Sequence, residues 1–361
     1  MKLEYYLLDM PLIVPFKTSF GTDVNRKPLI FRLEHNGIVS YSESVTDQDP
    51  FYSYEDNDTA LHVIKRYLAQ NIKDVPDPEE FLTRSSNIKG HNMAKAALEM
   101  LLYDYRAREM GKPLHEFLGD SRGYANVGIS IGMDDINKMI KRIDDALKLK
   151  YKRIKVKIMK GEELKIVSAI RDVYPDINLS VDANSDYTEK DFELLKKLDK
   201  FNLVYIEQPL YHDDLIYHAR LAREISTPIC LDESITSPEK AQKAFDIGAC
   251  SVINIKPGRV SGLTNSLKIA RIARENNGHV WIGGMLETGV GRSYNIAMAS
   301  NKLIDYPGDT SPNSKYYIRD IVKNPYNMED GIIKDYNGAG NGIEIDEELI
   351  NKYAVERGVI F

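Results

Sequence analysis

Residues 153–158 read RIKVKI, a short stretch in which Lys155 and Lys157 alternate with β-branched residues. An alternation with a period of two predicts a β-strand that carries both lysines on one side. Similar stretches recur from about residue 124, namely ANVGISIG, NLSVDAN, LVYIEQP, PICLDES, SVINIKPG and HVWIGG, and amphipathic segments lie between them. This alternation of strands and helices predicts parallel strands joined by right-handed crossovers, and so an α/β fold.

An ionisable residue closes each of five consecutive predicted strands. These residues follow one another at intervals of 25, 25, 25 and 24 positions, and they are Lys157, Asp182, Glu207, Asp232 and Lys256. An even spacing of βα units fits a closed barrel or an open doubly wound sheet. Because no glycine-rich dinucleotide fingerprint follows the first of these strands, the barrel is the favoured prediction.

Two of the segments between the strands show clear helix signals. In SPEKAQKAFDIG, Ser237 is suited to the N-cap, Pro238 to the first helical position and Gly248 to the stop. TEKDFELLKKLDK, residues 188–200, places apolar residues on one face, which predicts an amphipathic helix.

The chain before residue 124 has a different texture. Extended stretches on either side of Asn36-Gly37 predict a hairpin that turns at these two residues. Helical spacing is seen in HNMAKAALEMLLYDYRAREMGKPL. After about residue 325 the βα period is lost again. We therefore expect an α+β domain over 1–123, the barrel over 124–324, and a C-terminal segment over 325–361 that packs back on the first domain.

Composition excludes several classes of partner. The 48 basic and 54 acidic residues give a net charge of −6 without long runs of one sign, which argues against nucleic acid or an anionic membrane as a partner. Two cysteines in 361 residues favour a reducing compartment. The sequence has neither a targeting pattern nor an apolar run of roughly 20 residues. We expect a cytoplasmic protein that forms a homo-oligomer.

The carboxyl ends of barrel strands meet at one mouth, so the residues that close these strands should converge there. Lys155 shares the inward face with Lys157. Three converging carboxylates repel one another unless some are protonated or a cation lies among them. An all-oxygen set from Asp182, Glu207 and Asp232 suits a hard ion, which predicts Mg²⁺ as the cofactor, with Mn²⁺ as the alternative.

The lysines beside this predicted ion form a second pattern. An amine near a cation in a partly desolvated site has a lowered pKa and can accept a proton near neutrality. A metal that holds a substrate carboxylate, with a lysine beside the α-carbon, removes a proton from a carbon acid. The pattern predicts a small-molecule carboxylate substrate. A lone strand-end acid is more often a helix cap, but five ionisable groups at one period would be costly as structure alone.

Other residues near the predicted mouth carry weaker signals. Asn184 shares the face of Asp182 and Glu233 follows Asp232, although turn chemistry or a loop start explains both equally well. The glycines of GGMLETGVGRS can bring backbone amides close to a substrate carboxylate, or can simply form a βα turn. The predicted substrate-binding or supporting residues of the barrel are Ser130, Asn184, Glu233, Gly284, Met285 and Leu286.

These motifs together resemble a known family. The KxK, DAN, EQP, DES and KPG motifs at the five strand ends are similar to those of the muconate-lactonising subgroup of the enolase superfamily. PFKTSFGT, GHNMAKAALEM, GGMLETGVGRS and YPGD resemble segments of the o-succinylbenzoate synthase and N-succinylamino acid racemase family, and the likeness covers nearly the whole chain. SYSESV and GAGNG depart from the usual family pattern, which leaves the substrate in doubt but not the strand-end chemistry.

The resemblance implies a (β/α)7β barrel, a modified TIM barrel, under an α+β capping domain that the C-terminal segment completes. It implies Lys157 as a base on one face of the substrate and Lys256 on the other, with Lys155 assisting by lowering the pKa of Lys157. The cap residues that would close over the mouth and exclude water are Thr18, Ser19 and Phe20.

The resemblance also implies a choice of reactions. The first is dehydration of 2-succinyl-6-hydroxy-2,4-cyclohexadiene-1-carboxylate to o-succinylbenzoate in menaquinone biosynthesis, through a metal-stabilised enediolate, with Lys157 as base and acid and Lys256 as a cation. The second is racemisation of N-succinyl or other N-acyl amino acids, with both lysines as bases; one chain could do both. A barrel that acts only as a scaffold is the alternative from another class, and the complete set of site residues argues against it.

Overall fold

The computed structural model describes residues 1–18 and 21–361, and the side chains of residues 14–18 and 21–23 lie outside that description. The strands are β1 (Lys2–Leu8), β2 (Met10–Thr18), β3 (Gly21–Arg26), β4 (Leu29–His35), β5 (Ile38–Ser44), β6 (Tyr124–Asn126), β7 (Gly128–Ile131), β8 (Arg153–Lys157), β9 (Leu179–Asp182), β10 (Ile206–Glu207), β11 (Ile229–Leu231), β12 (Val252–Ile255), β13 (His279–Ile282), β14 (Ile332–Lys334) and β15 (Ala354–Val359).

Helices separate the strands of the second half in regular alternation, as the sequence predicts. The α-helices are α1 (Asn57–Val63), α2 (Pro78–Arg84), α3 (Asn92–Glu109), α4 (Leu114–Phe117), α5 (Ile136–Lys148), α6 (Glu163–Val173), α7 (Phe192–Leu195), α8 (Ile216–Ala222), α9 (Pro238–Asp246), α10 (Leu263–Glu275), α11 (Gly289–Ala299) and α12 (Glu347–Tyr353). Within the described residues, every helix is too short or too polar to span a bilayer.

The main sheet has seven parallel strands in the order β13-β12-β11-β10-β9-β8-β7. Residues 306–309 close it into a barrel as an eighth stave. On one side the amide of Asp309 donates to the carbonyl of Ile282 at 2.9 Å, and on the other the amide of Gly128 donates to the carbonyl of Gly308 at 2.7 Å. The last stave is followed by no barrel helix of its own before the C-terminal segment, so the predicted (β/α)7β barrel is confirmed.

The N-terminal sheet is antiparallel, with the order β15-β1-β4-β5. Its β4–β5 hairpin turns at Asn36 and Gly37, whose φ angles of 49° and 76° fit the predicted hairpin turn. The C-terminal strand β15 pairs with β1, so the end of the chain returns to the first sheet. Helices α1 to α3 cover one face of this sheet and bury an apolar core, which includes Leu3, Phe31, Leu68, Leu98 and Leu101.

Two buried acids of the N-terminal domain cap helices of the barrel. Glu99 of α3 accepts hydrogen bonds from the amides of Leu263 and Thr264 at 3.0 and 2.8 Å, at the start of α10. Glu43 of β5 accepts one from the amide of Thr288 at 3.0 Å, directly before α11. Because a helix start leaves amides unpaired and carries partial positive charge, these acids join the two domains at the helices that follow β12 and β13.

The predicted helix signals have different outcomes. Helix α9 begins at Pro238, and the Ser237 hydroxyl accepts from the amide of Lys240 at 3.2 Å, which confirms the predicted cap. The segment 188–200 is not one helix, because 3-10 turns flank the single α-turn α7. Asp199 near its end accepts hydrogen bonds from two amides of the following βα unit, which holds the segment in this irregular path.

Candidate active site

Five ionisable residues lie in a row at the carboxyl ends of the barrel strands. Lys157, Asp182 and Glu207 are the last residues of β8, β9 and β10, and Asp232 and Lys256 directly follow β11 and β12. The sheet register sets Asp182 beside both Lys157 and Glu207. All except Lys157 are buried. We call Asp182, Glu207 and Asp232 the strand-end carboxylates.

Lys155 points into the same interior from two residues before Lys157. Its Nζ atom lies 2.7 Å from Glu207 Oε2, 3.4 Å from Asp182 Oδ2 and 2.9 Å from Asp309 Oδ2. Burial acts to lower the pKa of Lys155, but the carboxylates outweigh burial and raise it well above its ordinary value. Lys155 therefore keeps its positive charge, and the role that the resemblance implies for it, lowering the pKa of Lys157, stays a prediction.

Lys157 is held through Asn184, which follows β9. The Lys157 ammonium donates to Asn184 Oδ1 at 2.7 Å, and the amide of Asn184 donates to Asp182 Oδ1 at 3.1 Å. Asn184 has a φ of 43°, in the left-handed region that Asn tolerates better than most residues. One residue thus orients both a predicted base and a predicted metal ligand.

Lys256 meets a group from the N-terminal domain. Its Nζ atom lies 2.8 Å from Asp232 Oδ2 and donates to the Tyr52 hydroxyl at 3.0 Å. Arg259 pairs with the other oxygen of Asp232 and donates to Tyr52 at 3.1 Å. Burial acts to lower the pKa of Lys256, yet the charge of Asp232 outweighs it and raises this pKa above its ordinary value.

The carboxylates crowd one another. Burial and the charge of Asp182 raise the pKa of Glu207 to about 8, and burial and the charge of Asp232 raise that of Glu233 to about 7. Among the described residues, Glu233 Oε2 is a buried oxygen without a hydrogen-bond partner. The raised pKa values show that the carboxylates repel one another, and a further cation among them would relieve this repulsion.

The chemistry of the donors fits a hard divalent ion, but they are not arranged for one as they stand. Within the part of the chain that the structure describes, no three His, Cys, Asp or Glu side chains form a group that could hold a metal ion. The strand-end carboxylates instead contact Lys155, Lys256 and Arg259. They offer oxygen ligands only and are buried together, which suits Mg²⁺ once these cationic side chains give way.

Comparisons with known proteins agree with this fold. The model of the enolase C-terminal domain-like family matches residues 138–349, and that of the mandelate racemase / muconate lactonizing enzyme N-terminal domain matches residues 3–119. The chain belongs to the enolase superfamily. Superfamily sites of this type use a lysine or histidine base together with Mg²⁺.

Similar proteins cover the chain from end to end. It is 39% identical to an o-succinylbenzoate synthase of Bacillus subtilis, over 99% of this chain and 97% of the relative. It is 38% identical to an N-succinylamino acid racemase of Thermus thermophilus, over 97% of this chain and 95% of that one. A solved enolase-superfamily member from Listeria innocua has a TM-score of 0.97 and 35% identity, with coverage of 100% of this chain and 98% of the other.

The remaining predicted substrate-side residues of the barrel lie on β7 and directly after β13. Ser130 pairs in register with Lys155 from β7 and is half-buried. Gly284, Met285 and Leu286 follow β13; Leu286 has a φ of 58°, and the Met285 amide donates to the carboxylate of Glu287 at 2.9 Å. Of the predicted cap residues, Ser19 and Phe20 and the side chain of Thr18 lie outside the described residues.

The structure adds side chains that the sequence analysis did not single out. They are Tyr52, Arg153, Asn254, Arg259 and Asp309. Arg153 and Asn254 lie two residues before Lys155 and Lys256, so the strand period could have identified them. Tyr52 comes from a distant segment that no local period marks. Asp309 is the last residue of the YPGD segment, so its sequence signal was the resemblance to the family and not the strand period.

Proposed function

We propose that this chain is a Mg²⁺-dependent o-succinylbenzoate synthase. The observation that carries the proposal is the position of its two outer lysines. Lys157 ends β8 and Lys256 follows β12, four staves apart in a barrel of eight, so they face each other across the mouth. A carbon acid bound between them would meet an ammonium or amine group on either side of its acidic carbon. Relatives of that name in Bacillus subtilis and Geobacillus stearothermophilus, at 39% and 41% identity, support this reaction.

In the proposed dehydration, Lys157 is the general base and then the general acid. As a free amine it takes the proton on the ring carbon that bears the substrate carboxylate, and the C–H electrons move toward that carboxylate. The neighbouring C–O bond then breaks while Lys157 returns the proton to the departing hydroxyl, so that water leaves and the ring becomes aromatic. Asn184 orients the Lys157 nitrogen through its 2.7 Å contact.

The remaining charged groups stabilise and orient. Asp182, Glu207 and Asp232 would hold Mg²⁺, which when bound stabilises negative charge on the substrate carboxylate. Lys155 supplies a permanent positive charge beside Lys157, and Lys256 presents a cation to the opposite face of the ring. These roles use residues of five neighbouring staves, as is usual at the mouth of a barrel enzyme.

N-succinylamino acid racemase, or racemase of other N-acyl amino acids, is the second candidate, alone or beside the first activity. The opposed lysines favour it, because racemisation requires one group to remove the α-proton and another to deliver a proton to the opposite face. The Thermus thermophilus relative bears this name.

A direct assay tests the proposal. Purified protein with Mg²⁺ and the cyclohexadiene substrate should form o-succinylbenzoate, followed by ultraviolet absorbance, and EDTA should stop the reaction. Protein that leaves this substrate unchanged but racemises an N-succinyl amino acid would replace the first activity with the second. Protein inactive in both assays would contradict both.

We further propose the setting of this enzyme. A net charge of −6 without long runs of one sign and a small-molecule substrate support a cytoplasmic enzyme without nucleic-acid or membrane partners. We propose that it is built as a cap (1–123), a barrel (124–324) and a returning segment (325–361). We also propose a homo-oligomer, which sedimentation equilibrium of the full chain would test.

A further inference from the structure

A second ionic layer lies directly below the strand-end carboxylates. Asp309 on the closing stave places Oδ1 2.6 Å from the Arg153 guanidinium and Oδ2 2.9 Å from Lys155 Nζ. Both cations lie against Trp281, with the guanidinium carbon 4.5 Å and Nζ 4.7 Å from the ring centre. Trp281 is the single tryptophan of the chain and is fully buried.

Lys155 is therefore shared between two groups of anions. Above it lie Glu207 and Asp182, which the proposed function assigns to Mg²⁺. Beside it lies Asp309, which is not among the proposed ligands of the ion. A divalent cation and an ammonium group compete for the same carboxylate oxygens, and they also repel each other. Lys155 must then loosen its hold on Glu207 and Asp182 when such an ion binds.

Asp309 is fixed in a position to keep the displaced ammonium. Its partner Arg153 cannot easily swing away, because the guanidinium also donates to the Tyr205 hydroxyl at 2.7 Å and to the carbonyl of Pro307 at 3.1 Å. The Arg153 side chain is only 2% exposed. Asp309 is thus a preorganised anion that remains with Lys155 after the strand-end carboxylates have turned to another cation.

We propose that Asp309 is a positioning residue that takes over the Lys155 ammonium when a divalent cation binds the strand-end carboxylates. This inference rests on the proposed function only for the identity of the ion. On this proposal Lys155 competes with the metal ion for the strand-end carboxylates. When the ion binds, the Lys155 ammonium moves aside and keeps Asp309 as its counter-charge. The proposal also makes Trp281 a built-in reporter, since the cation on its ring shifts as the ion binds.

The first experiment uses the wild-type chain without substrate. Mg²⁺ is titrated into EDTA-treated protein while tryptophan emission is recorded, and calorimetry measures binding in parallel. The expected result is a saturable emission change with the same Kd as the calorimetric one, and a much smaller change in Lys155→Met. The proposal would be overturned if calorimetry detects binding but tryptophan emission does not change. It would also be overturned if the emission change in Lys155→Met is as large as in the wild type.

The second experiment is a double-mutant cycle on the Mg²⁺ Kd. Asp309→Asn should weaken binding by about ten-fold or more, since a charge-assisted hydrogen bond must then be given up without replacement. In the Lys155→Met background the same substitution should have little effect. If Asp309→Asn weakens binding equally in both backgrounds, Asp309 acts only by through-space charge or barrel closure, and the proposal fails.

Asp305→Asn is the matched control, because Asp305 lies on the same segment but pairs with His279 at the barrel's other end. It should leave both the Kd and the emission change unaltered. If Asp309→Asn does not fold, the wild-type and Lys155→Met titrations still decide. Neither experiment uses substrate, so a chain that passes both yet turns over neither candidate substrate contradicts the proposed function and not this inference.

Discussion

The Nζ atom of Lys157 lies 2.7 Å from Oδ1 of Asn184, and that contact orients the proposed base. Asn184→Gly removes the contact while it preserves the left-handed backbone and the amide that binds Asp182. We expect kcat to fall by about 10- to 100-fold, with a smaller change in KM, because the amine is no longer held toward the substrate. Steady-state kinetics of the dehydration measure both constants.

Asn202→Gly is the matched control for this substitution. Asn202 also has a left-handed φ, of 48°, but it lies on the surface at the end of the β9–β10 crossover. Its kinetics should equal those of the wild type. An equal loss of kcat in the two variants would show that backbone flexibility, and not the lost contact, causes the effect.

The opposed positions of Lys157 and Lys256 predict exchange that depends on the enantiomer. In D₂O, Lys256→Ala should still exchange the α-proton of one enantiomer of an N-succinyl amino acid through Lys157, and Lys157→Ala that of the other through Lys256. Racemisation should fall by about 10²- to 10⁴-fold in both variants, since each lacks one acid–base group. Proton NMR of each pure enantiomer measures the exchange.

The dehydration separates the same two variants in another way. The dehydration needs only one base, so Lys157→Ala should lose dehydration activity. Lys256→Ala should retain a larger fraction of its dehydration activity than of its racemisation activity. If both variants lose exchange of both enantiomers equally, the assignment of one lysine to each face is wrong.

Much of this site could be predicted because its signal is local. A side-chain period of two and a βα repeat of about 25 residues depend only on the chain itself, so they fix which residues reach the barrel mouth. The row from Lys157 to Lys256 therefore follows from spacing alone. The same period would have identified Arg153 and Asn254, which point inward one layer deeper.

Other features of the site depend on contacts between distant segments, which produce no periodic pattern in the sequence. Tyr52 reaches Lys256 from the N-terminal domain, and Asp309 reaches Lys155 from the closing stave. The segment 188–200 has a helical apolar pattern, yet tertiary hydrogen bonds to Asp199 hold it as 3-10 turns around α7.

Gly308 lies in close contact with the neighbouring stave at the point where the barrel closes. A Cβ atom at this position would lie 2.6 Å from the carbonyl oxygen of Ile282 on the neighbouring stave. Gly308→Ala should therefore destabilise the protein by about 1–3 kcal/mol, because the clash is with backbone that cannot rotate away. Urea unfolding followed by circular dichroism measures this loss.

Gly132→Ala provides the comparison for Gly308→Ala. A Cβ atom there meets no described atom within 4 Å, so this variant should be unchanged or slightly more stable, by up to about 1 kcal/mol. Equal stability of the two alanine variants would mean that the closing stave shifts freely, contrary to a tightly closed barrel.

Glu99 predicts how stability depends on pH. Burial raises its pKa from 4.5 to about 7 in the folded chain, even though backbone amides at the start of α10 donate to it. The folded state thus binds the proton more tightly than the unfolded state. Its contribution to stability is fully present below pH 4.5 and is lost as the pH rises through about 7, on the order of 3 kcal/mol.

Glu99→Gln should remove that part of the pH dependence, because an amide does not titrate. It should also lower stability at pH 5 by about 1 kcal/mol, since its NH₂ group faces an amide donor in place of an acceptor. The free energy of unfolding, measured with urea at pH 5 and pH 8, gives both effects.

Glu116→Gln, at an exposed position of α4, is the control and should keep the wild-type difference in unfolding free energy between the two pH values. If Glu99→Gln also keeps the wild-type difference, Glu99 is not the group whose protonation causes it. The difference would then come from other acids such as Glu43, whose pKa burial also raises to about 7.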